Sequence, residues 1–133
     1  MTRINVISKS SYGKSIGFSR AVRIGNVIAV SGTAPVGPDG KPVFPGDLYN
    51  QTKYCFEIIA NAIAEAGGTL ADVIRTRVYL ADINRWQEAG KAHGEVFNKV
   101  MPACTFVEVK GLIEKEWLVE IEAECVLGGQ DRE

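Results

Sequence analysis

Residues 118–126 restrict the possible fold of this chain most, because apolar and charged side chains alternate along them. Successive side chains of a β-strand point to opposite faces of a sheet. One face of this strand would carry Val119, Ile121, Ala123 and Cys125, and the other would carry Glu120, Glu122 and Glu124. Three carboxylates in a row repel one another unless water or cations meet them. The pattern therefore predicts a sheet with one covered face and one polar face.

Residues 100–109 alternate in the same way and predict a second strand with one buried face. A short polar link, residues 111–116, separates this segment from residues 118–126. Two alternating runs joined by a short polar link are typical of a β-hairpin. We therefore expect these two strands to pair with each other.

Earlier in the chain, residues 20–24 and 27–31 predict a hairpin, since both residues of Gly25-Asn26 tolerate a positive φ. A short strand at residues 4–7 is also possible. Residues 73–80 alternate again, with Arg75, Arg77 and Tyr79 on one face. This strand would offer cations to a neighbouring row of glutamates.

Two amphipathic helices separate these strands. The first begins after Asp47, a plausible N-cap, and ends at Gly67-Gly68. The second begins near Asp82 or Asn84 and ends before Pro102. The predicted order of elements is therefore ββαβαββ.

This order predicts an α+β fold for a single domain of residues 1–133, a two-layer sandwich in which both helices cover one face of a mixed sheet. The glutamate row then lies on the uncovered face. It could be a solvated face whose glutamates pair with Arg75 and Arg77. Alternatively, several copies could pack these faces together and form clefts along their contacts. The residues alone leave both interpretations open.

Composition excludes several classes of function. With 15 basic and 16 acidic residues, a net charge of −1 gives no footprint for nucleic acid or an anionic membrane. No apolar run reaches the length of a signal peptide or a membrane span, so we expect a cytoplasmic protein. Cys55, Cys104 and Cys125 are widely spaced, and His93 is the one histidine, which favours neither a disulfide framework nor a zinc site.

Several short motifs occur in one particular order. They are Ile16-Gly17-Phe18-Ser19-Arg20, Val30-Ser31-Gly32-Thr33-Ala34-Pro35, Ala66-Gly67-Gly68, Val78-Tyr79-Leu80-Ala81-Asp82, Pro102-Ala103-Cys104-Thr105 and Val119-Glu120-Ile121-Glu122-Ala123. Together with the order of elements they resemble the Rid/YjgF family, also called the L-PSP endoribonuclease-like family. The resemblance implies a chorismate-mutase-like fold, a barrel-like homotrimer with small-molecule pockets between subunits, and imine or enamine deamination without cofactor or metal.

The resemblance also implies roles for individual residues. Glu120 occupies the position that orients water, and Ser31-Gly32 is the turn whose backbone lines the pocket. Phe18-Ser19, without a proline, stands where the family often has a Gly-Pro-Tyr segment. Cys104, followed by Thr105, stands where members with deaminase activity have an arginine that binds the substrate carboxylate. A thiol cannot replace charge-assisted hydrogen bonds worth about 1.5–3 kcal/mol each. We therefore expect weak or no activity on 2-iminopropionate.

Three residues keep two interpretations each. Arg20 either supplies the missing cation or pairs with a surface carboxylate. Cys104 is either a small apolar filler or a reactive thiol. His93 is either a partly buried histidine with its hydrogen bonds satisfied or a pocket donor or acid.

Three classes of function follow. The chain hydrolyses an enamine or imine other than the usual small imino acids, binds a metabolite without catalysis as a regulatory trimer, or cleaves RNA. The even charge balance argues against the ribonuclease.

Overall fold

A six-stranded sheet organises residues 2–128, the part of the chain that the computed structural model describes. In chain order the elements are β1 (Arg3–Val6), α1 (Ser11–Ile16), β2 (Ala21–Ile24), β3 (Val27–Thr33), α2 (Leu48–Glu65), β4 (Val73–Leu80), α3 (Trp86–Phe97), β5 (Ala103–Glu108) and β6 (Val119–Val126). Short 3-10 turns, Leu70–Asp72 and Ile83–Arg85, precede β4 and α3. The strand order is β1-β2-β3-β6-β4-β5, and β4 and β5 are parallel whereas the other pairs are antiparallel. The predicted α+β class with a mixed sheet is confirmed.

Helix α2 begins and ends where its sequence predicts. The Asp47 side chain accepts a hydrogen bond from the Asn50 backbone N–H at 3.0 Å. After the last turn, Gly67 has a φ of +95°, and the Gly68 N–H donates to the Ile63 carbonyl at 2.9 Å. This is the glycine-terminated end that a left-handed residue allows. The buried side chains of α2 and α3 join those of β3, β4 and β6 in one core.

The start of α3 follows a 3-10 turn that Asp82 caps, since its carboxylate accepts from the Asn84 N–H at 2.9 Å. Helix α3 ends at Phe97, before Pro102, as expected. No helix within residues 2–128 has the length and apolar character needed to cross a membrane.

The first predicted hairpin is confirmed, and the second is wrong. Gly25 has a φ of +58° and, with Asn26, joins β2 to β3. In contrast, β5 and β6 do not pair, because β4 lies between them. Strand β5 instead runs parallel to β4 after the α3 crossover, and most of its side chains are exposed. Alternation describes the faces of a strand and not its neighbours, so it could not identify this arrangement.

The first eighteen residues contain a helix that the sequence analysis did not predict. The possible short strand is β1, one residue earlier than expected. Helix α1 has one turn and a half, without a long apolar stripe to reveal it. Its ends are defined locally, because the Ser10 hydroxyl accepts from the Tyr12 N–H at 3.1 Å and Gly17 adopts a φ of +89°.

The uncovered sheet face carries the glutamate row, as predicted. Arg77 Nη1 lies 2.5 Å from Glu124 Oε1, while the Tyr79 hydroxyl donates to Glu122. The expected pairing of arginine with glutamate is therefore confirmed for Glu124, but the partner of Glu122 is a tyrosine. This hydrogen bond raises the pKa of Tyr79. Both members of the Arg77–Glu124 pair are more than one-third exposed, so the pair stabilises the sheet only weakly.

A fully buried glutamine joins α2 to two loops, one of which leads into β6. Gln51 Nε2 lies 3.2, 3.3 and 3.0 Å from the carbonyl oxygens of Val43, Phe44 and Glu116. Gln51 Oε1 accepts from the Leu118 N–H at 2.9 Å. One side chain therefore satisfies backbone groups that the loops leave without strand partners.

Replacing Gln51 by Met should lower the free energy of unfolding by about 2–4 kcal/mol, because several buried backbone groups would lose their partner. Chemical denaturation of the purified protein measures this change. The matched control is Gln87→Met, which makes the same substitution at an exposed position of α3. Equal stability of the two variants would show that the Gln51 hydrogen bonds contribute nothing.

Candidate functional site

A groove of about 960 Å³ brings together most of the residues expected to form the site. Its walls come from α1, α2, the loop at residues 34–40 and the link at residues 113–117. Among the residues that line it are Arg20, Ser31, Gly32, Trp117 and Glu120. Phe18 also lines the groove. A smaller depression of about 280 Å³ between α2 and α3 contains none of the predicted site residues.

An irregularity in β3 shapes one wall. The register between β3 and β6 shifts between Val30 and Thr33, so Ser31-Gly32, expected as a turn, is an irregularity within the strand. The Ser31 hydroxyl donates to the Ser19 carbonyl at 2.6 Å, and the Ser31 N–H donates to the Arg20 carbonyl at 3.0 Å. Ser19 therefore holds the wall through its backbone.

Gly32 permits a close approach of the catalytic candidate. A β-carbon at this position would overlap the Glu120 carboxylate. Glycine at this position leaves the space that the Glu120 carboxylate occupies, and any larger residue would displace that carboxylate. The glycine and the glutamate therefore act together, since the absence of a side chain on β3 makes room for the carboxylate of β6.

Arg20 lies beside this pair. Its Nη2 donates to the Gly32 carbonyl at 2.6 Å, and its guanidinium carbon lies 5.7 Å from the centre of the Phe18 ring. Its Nε is buried and has no hydrogen-bond partner among residues 2–128. The structure thus places Arg20 in the groove and not in a surface ion pair.

Burial and charge set the protonation of Glu120. Desolvation raises its pKa, Arg20 acts in the opposite direction, and Glu122 raises it further. Desolvation likewise lowers the pKa of Arg20, while Glu120 raises it. Glu120 is therefore a carboxylate that takes up a proton more readily than an exposed one.

Cys104 and Thr105 lie elsewhere. Both belong to β5, where they are exposed and register with Thr76 and Arg77 of β4. Strand β5 forms the sheet edge opposite β1, and β4 separates it from the strand of Glu120. Within one chain, Cys104 and Glu120 therefore do not share a pocket. Cys104 is exposed, whereas Cys55 and Cys125 are buried.

His93 also lies outside the groove. Its Nε2 is 2.8 Å from Thr76 Oγ1, and its ring contacts Phe56, Phe97 and Phe106 at centroid distances of 5.6, 4.9 and 6.0 Å. Desolvation lowers the pKa of His93. These contacts describe a partly buried imidazole that is hydrogen-bonded within the core.

Sequence reasoning missed several residues of the groove, and Trp117 is the most deeply buried residue of its link. It stands two positions before β6 and is only 5% exposed. Its indole Nε1 is buried and has no hydrogen-bond partner among the described residues. An aromatic residue three positions before Glu120 was the available signal, but it lay beside a link that we interpreted only as a turn.

Within residues 2–128, no group of three or more His, Cys, Asp or Glu side chains is placed to hold a metal ion.

Comparison with known proteins identifies the family. The model of the family described as Endoribonuclease L-PSP matches residues 9–127. The chain belongs to this family. An uncharacterised protein of Streptomyces coelicolor is 40% identical over 127 residues, which cover 95% of this chain and 93% of the relative.

Solved structures agree with this assignment. Rv2704 of Mycobacterium tuberculosis, a member of the YjgF/YER057c/UK114 family, is 42% identical and superposes with a TM-score of 0.86 over 95% of this chain and 100% of its own. TdcF of Escherichia coli, solved with bound serine, is 26% identical with a TM-score of 0.74 over 82% of this chain and 87% of its own. The predicted membership of the Rid/YjgF family is confirmed.

The environment of His93 predicts a pH dependence of stability. Its pKa in the folded protein lies below the value in the unfolded chain, so the unfolded state binds more protons as the pH falls. The stability due to neutral His93 should be present above about pH 6.5 and be lost on acidification through that value. Denaturation midpoints measured from about pH 7.5 to about pH 5.5 should fall more steeply for the wild type than for His93→Gln. Parallel curves would contradict this account.

Proposed function

We propose that this protein hydrolyses the carbon–nitrogen double bond of an enamine or imine metabolite, with Glu120 activating the water. The observation that carries the proposal is the Glu120 carboxylate, which lies in the groove against Gly32, with burial raising its pKa. A carboxylate with a raised pKa is a stronger base than an exposed one and works closer to neutral pH.

The reaction needs only water and the bound substrate. Glu120 takes a proton from water while the oxygen attacks the imine carbon, the electron pair of the C=N double bond moves to nitrogen, and Glu120 passes this proton to that nitrogen. In the resulting carbinolamine Glu120 takes the hydroxyl proton as the carbonyl forms and the C–N bond breaks, and it gives this proton to the nitrogen, which leaves as ammonia. An enamine enters the same sequence after protonation at carbon has converted it to the imine.

In this proposal, the substrate is not one of the smallest imino acids. Cys104 offers no positive charge where the family's active deaminases have an arginine, and it lies on the opposite edge of the sheet from the groove. We propose that β5 of one subunit meets the groove of another in a homotrimer, as the resemblance implies. The open sheet face, with its half-buried charged row, is the surface that such packing would cover.

Binding without catalysis is the second candidate, since loss of the arginine removes a group that grips a substrate carboxylate. The serine bound to TdcF supports an amino-acid-like ligand for either candidate. The net charge of −1 continues to argue against RNA as the substrate.

The Glu120→Gln variant should lose about 10²–10⁴-fold of the rate of imine hydrolysis, because a glutamine cannot accept the proton. The assay generates the imine of leucine with an amino-acid oxidase and measures the release of ammonia above the spontaneous rate. The wild-type rate should fall on acidification through a pKa above the usual value of 4.5, because protonated Glu120 is no base.

Glu124→Gln is the matched control, since Glu124 lies on the same strand face but pairs with Arg77 outside the groove. Equal rates for wild type and Glu120→Gln would reject the hydrolase and leave the binding protein.

The Cys104→Arg variant should raise the hydrolysis of 2-iminopropionate about tenfold or more, since a bidentate guanidinium would then meet the substrate carboxylate. The same oxidase-coupled assay, run with alanine as the precursor, measures this gain. Thr105→Arg adds the same charge one residue further along β5 and should give no gain. A Cys104→Arg variant that stays as slow as the wild type would show that the cysteine is not the obstacle.

A further inference from the structure

Two residues that line the groove each carry a buried donor atom without an acceptor among the described residues. Within residues 2–128, the buried side-chain nitrogen and oxygen atoms without a hydrogen-bond partner are Arg20 Nε and Trp117 Nε1. Both residues line the same groove, together with Glu120. Buried polar groups are nearly always hydrogen-bonded, so two exceptions in one groove indicate a missing partner.

The chemistry of these atoms restricts that partner. An indole N–H and a guanidinium N–H donate hydrogen bonds and accept none. The group that satisfies them is therefore an acceptor, such as the oxygen of a carbonyl or a carboxylate.

The position of Trp117 is rigidly supported. Gln51 holds the backbone on both sides of it, since its amide donates to the Glu116 carbonyl and accepts from the Leu118 N–H. The backbone N–H of Trp117 donates to the Glu114 carbonyl at 3.2 Å. A backbone held in this way, with a side chain only 5% exposed, restricts the positions that the indole can adopt before a ligand binds.

Three exposed isoleucines lie among the residues that line the groove. Ile7, Ile16 and Ile113 all line it and are 83%, 65% and 65% exposed. The volume of about 960 Å³ is near the upper end of the 300–1,000 Å³ typical of small-molecule pockets. A three-carbon molecule would fill little of it. An apolar chain attached to the acceptor group would cover these isoleucines.

We propose that Trp117 and Arg20 bind the head group of an acid or carbonyl compound, whose oxygens are the acceptors, and that its branched or extended apolar chain lies along Ile7, Ile16 and Ile113. This inference rests on the proposed function and names the ligand class for the same groove. Recognition of the ligand's head group then depends on Trp117 and Arg20 in the groove and not on Cys104.

The test uses the two indoles of the protein. The Trp86→Phe variant removes the indole of α3, which is 47% exposed and lies outside the groove. The indole N–H signal of Trp117 in a ¹⁵N-labelled sample then reports directly on this site. The probe is 4-methyl-2-oxopentanoate, a stable oxygen analogue of a branched imino acid. Pyruvate retains the head without the chain, and 3-methylbutylammonium retains the chain without an acceptor.

We expect a saturable downfield shift of the Trp117 indole proton with 4-methyl-2-oxopentanoate, about tenfold weaker binding of pyruvate, and no such shift with 3-methylbutylammonium. The Trp117→Phe substitution in the wild-type background removes the donor and should weaken binding of 4-methyl-2-oxopentanoate about tenfold, as measured by calorimetry. If this variant does not fold, the titration of Trp86→Phe decides alone.

An indole signal that stays unchanged while 4-methyl-2-oxopentanoate binds, or an equal response to 3-methylbutylammonium, would overturn the proposal. Failure to detect any binding of 4-methyl-2-oxopentanoate would do the same. The outcome is distinguishable from that of the hydrolase assay. An indole shift without Glu120-dependent hydrolysis supports the ligand class alone, and hydrolysis with an indifferent indole supports the reaction alone.

Discussion

Strand β6 pairs with β3 on one side and β4 on the other, and the rest of the structure depends on this double pairing. The inner side chains of β6 are almost completely buried, with Val119, Ile121 and Cys125 at 0% exposure. Because alternate residues must face opposite sides, burial of this row fixes the glutamates on the other face. A shift of one residue would bury three carboxylates, so the register that builds the core also positions Glu120.

Much of this arrangement follows from local patterns. Helix α2 was predictable from Asp47 to Gly67-Gly68 because capping and termination depend on nearby residues. The polar face was predictable because alternation alone defines it. The pairing of β5 was not, since a parallel neighbour reached through α3 and an antiparallel neighbour reached through a loop require the same alternation.

The candidate site divides in the same way. Family motifs place Glu120, Ser31 and Gly32, and the structure brings all three into one groove. The position of Trp117 beside Glu120 could be read from the sequence, but its importance could not, because that arises from a missing acceptor and from the support of Gln51, a residue 66 positions earlier in the chain. Such contacts are long-range and leave no periodic signal. The separation of Cys104 from Glu120 likewise depends on strand order, which the motifs do not encode.

The glutamate row itself provides an internal comparison. Glu120, Glu122 and Glu124 share a strand, a face and a chemical group, so their differences arise only from their surroundings. Glu124 meets Arg77 and Glu122 meets Tyr79, which are interactions that hold a sheet surface together. The Glu120 carboxylate instead occupies the space that the missing side chain of Gly32 leaves. The nearby Arg20 already donates a hydrogen bond from its Nη2 to the Gly32 carbonyl. A carboxylate that is desolvated but not consumed by a structural partner retains its capacity to accept a proton. The same row therefore contains two glutamates with structural partners at one end and, at the other, one carboxylate that is free to accept a proton.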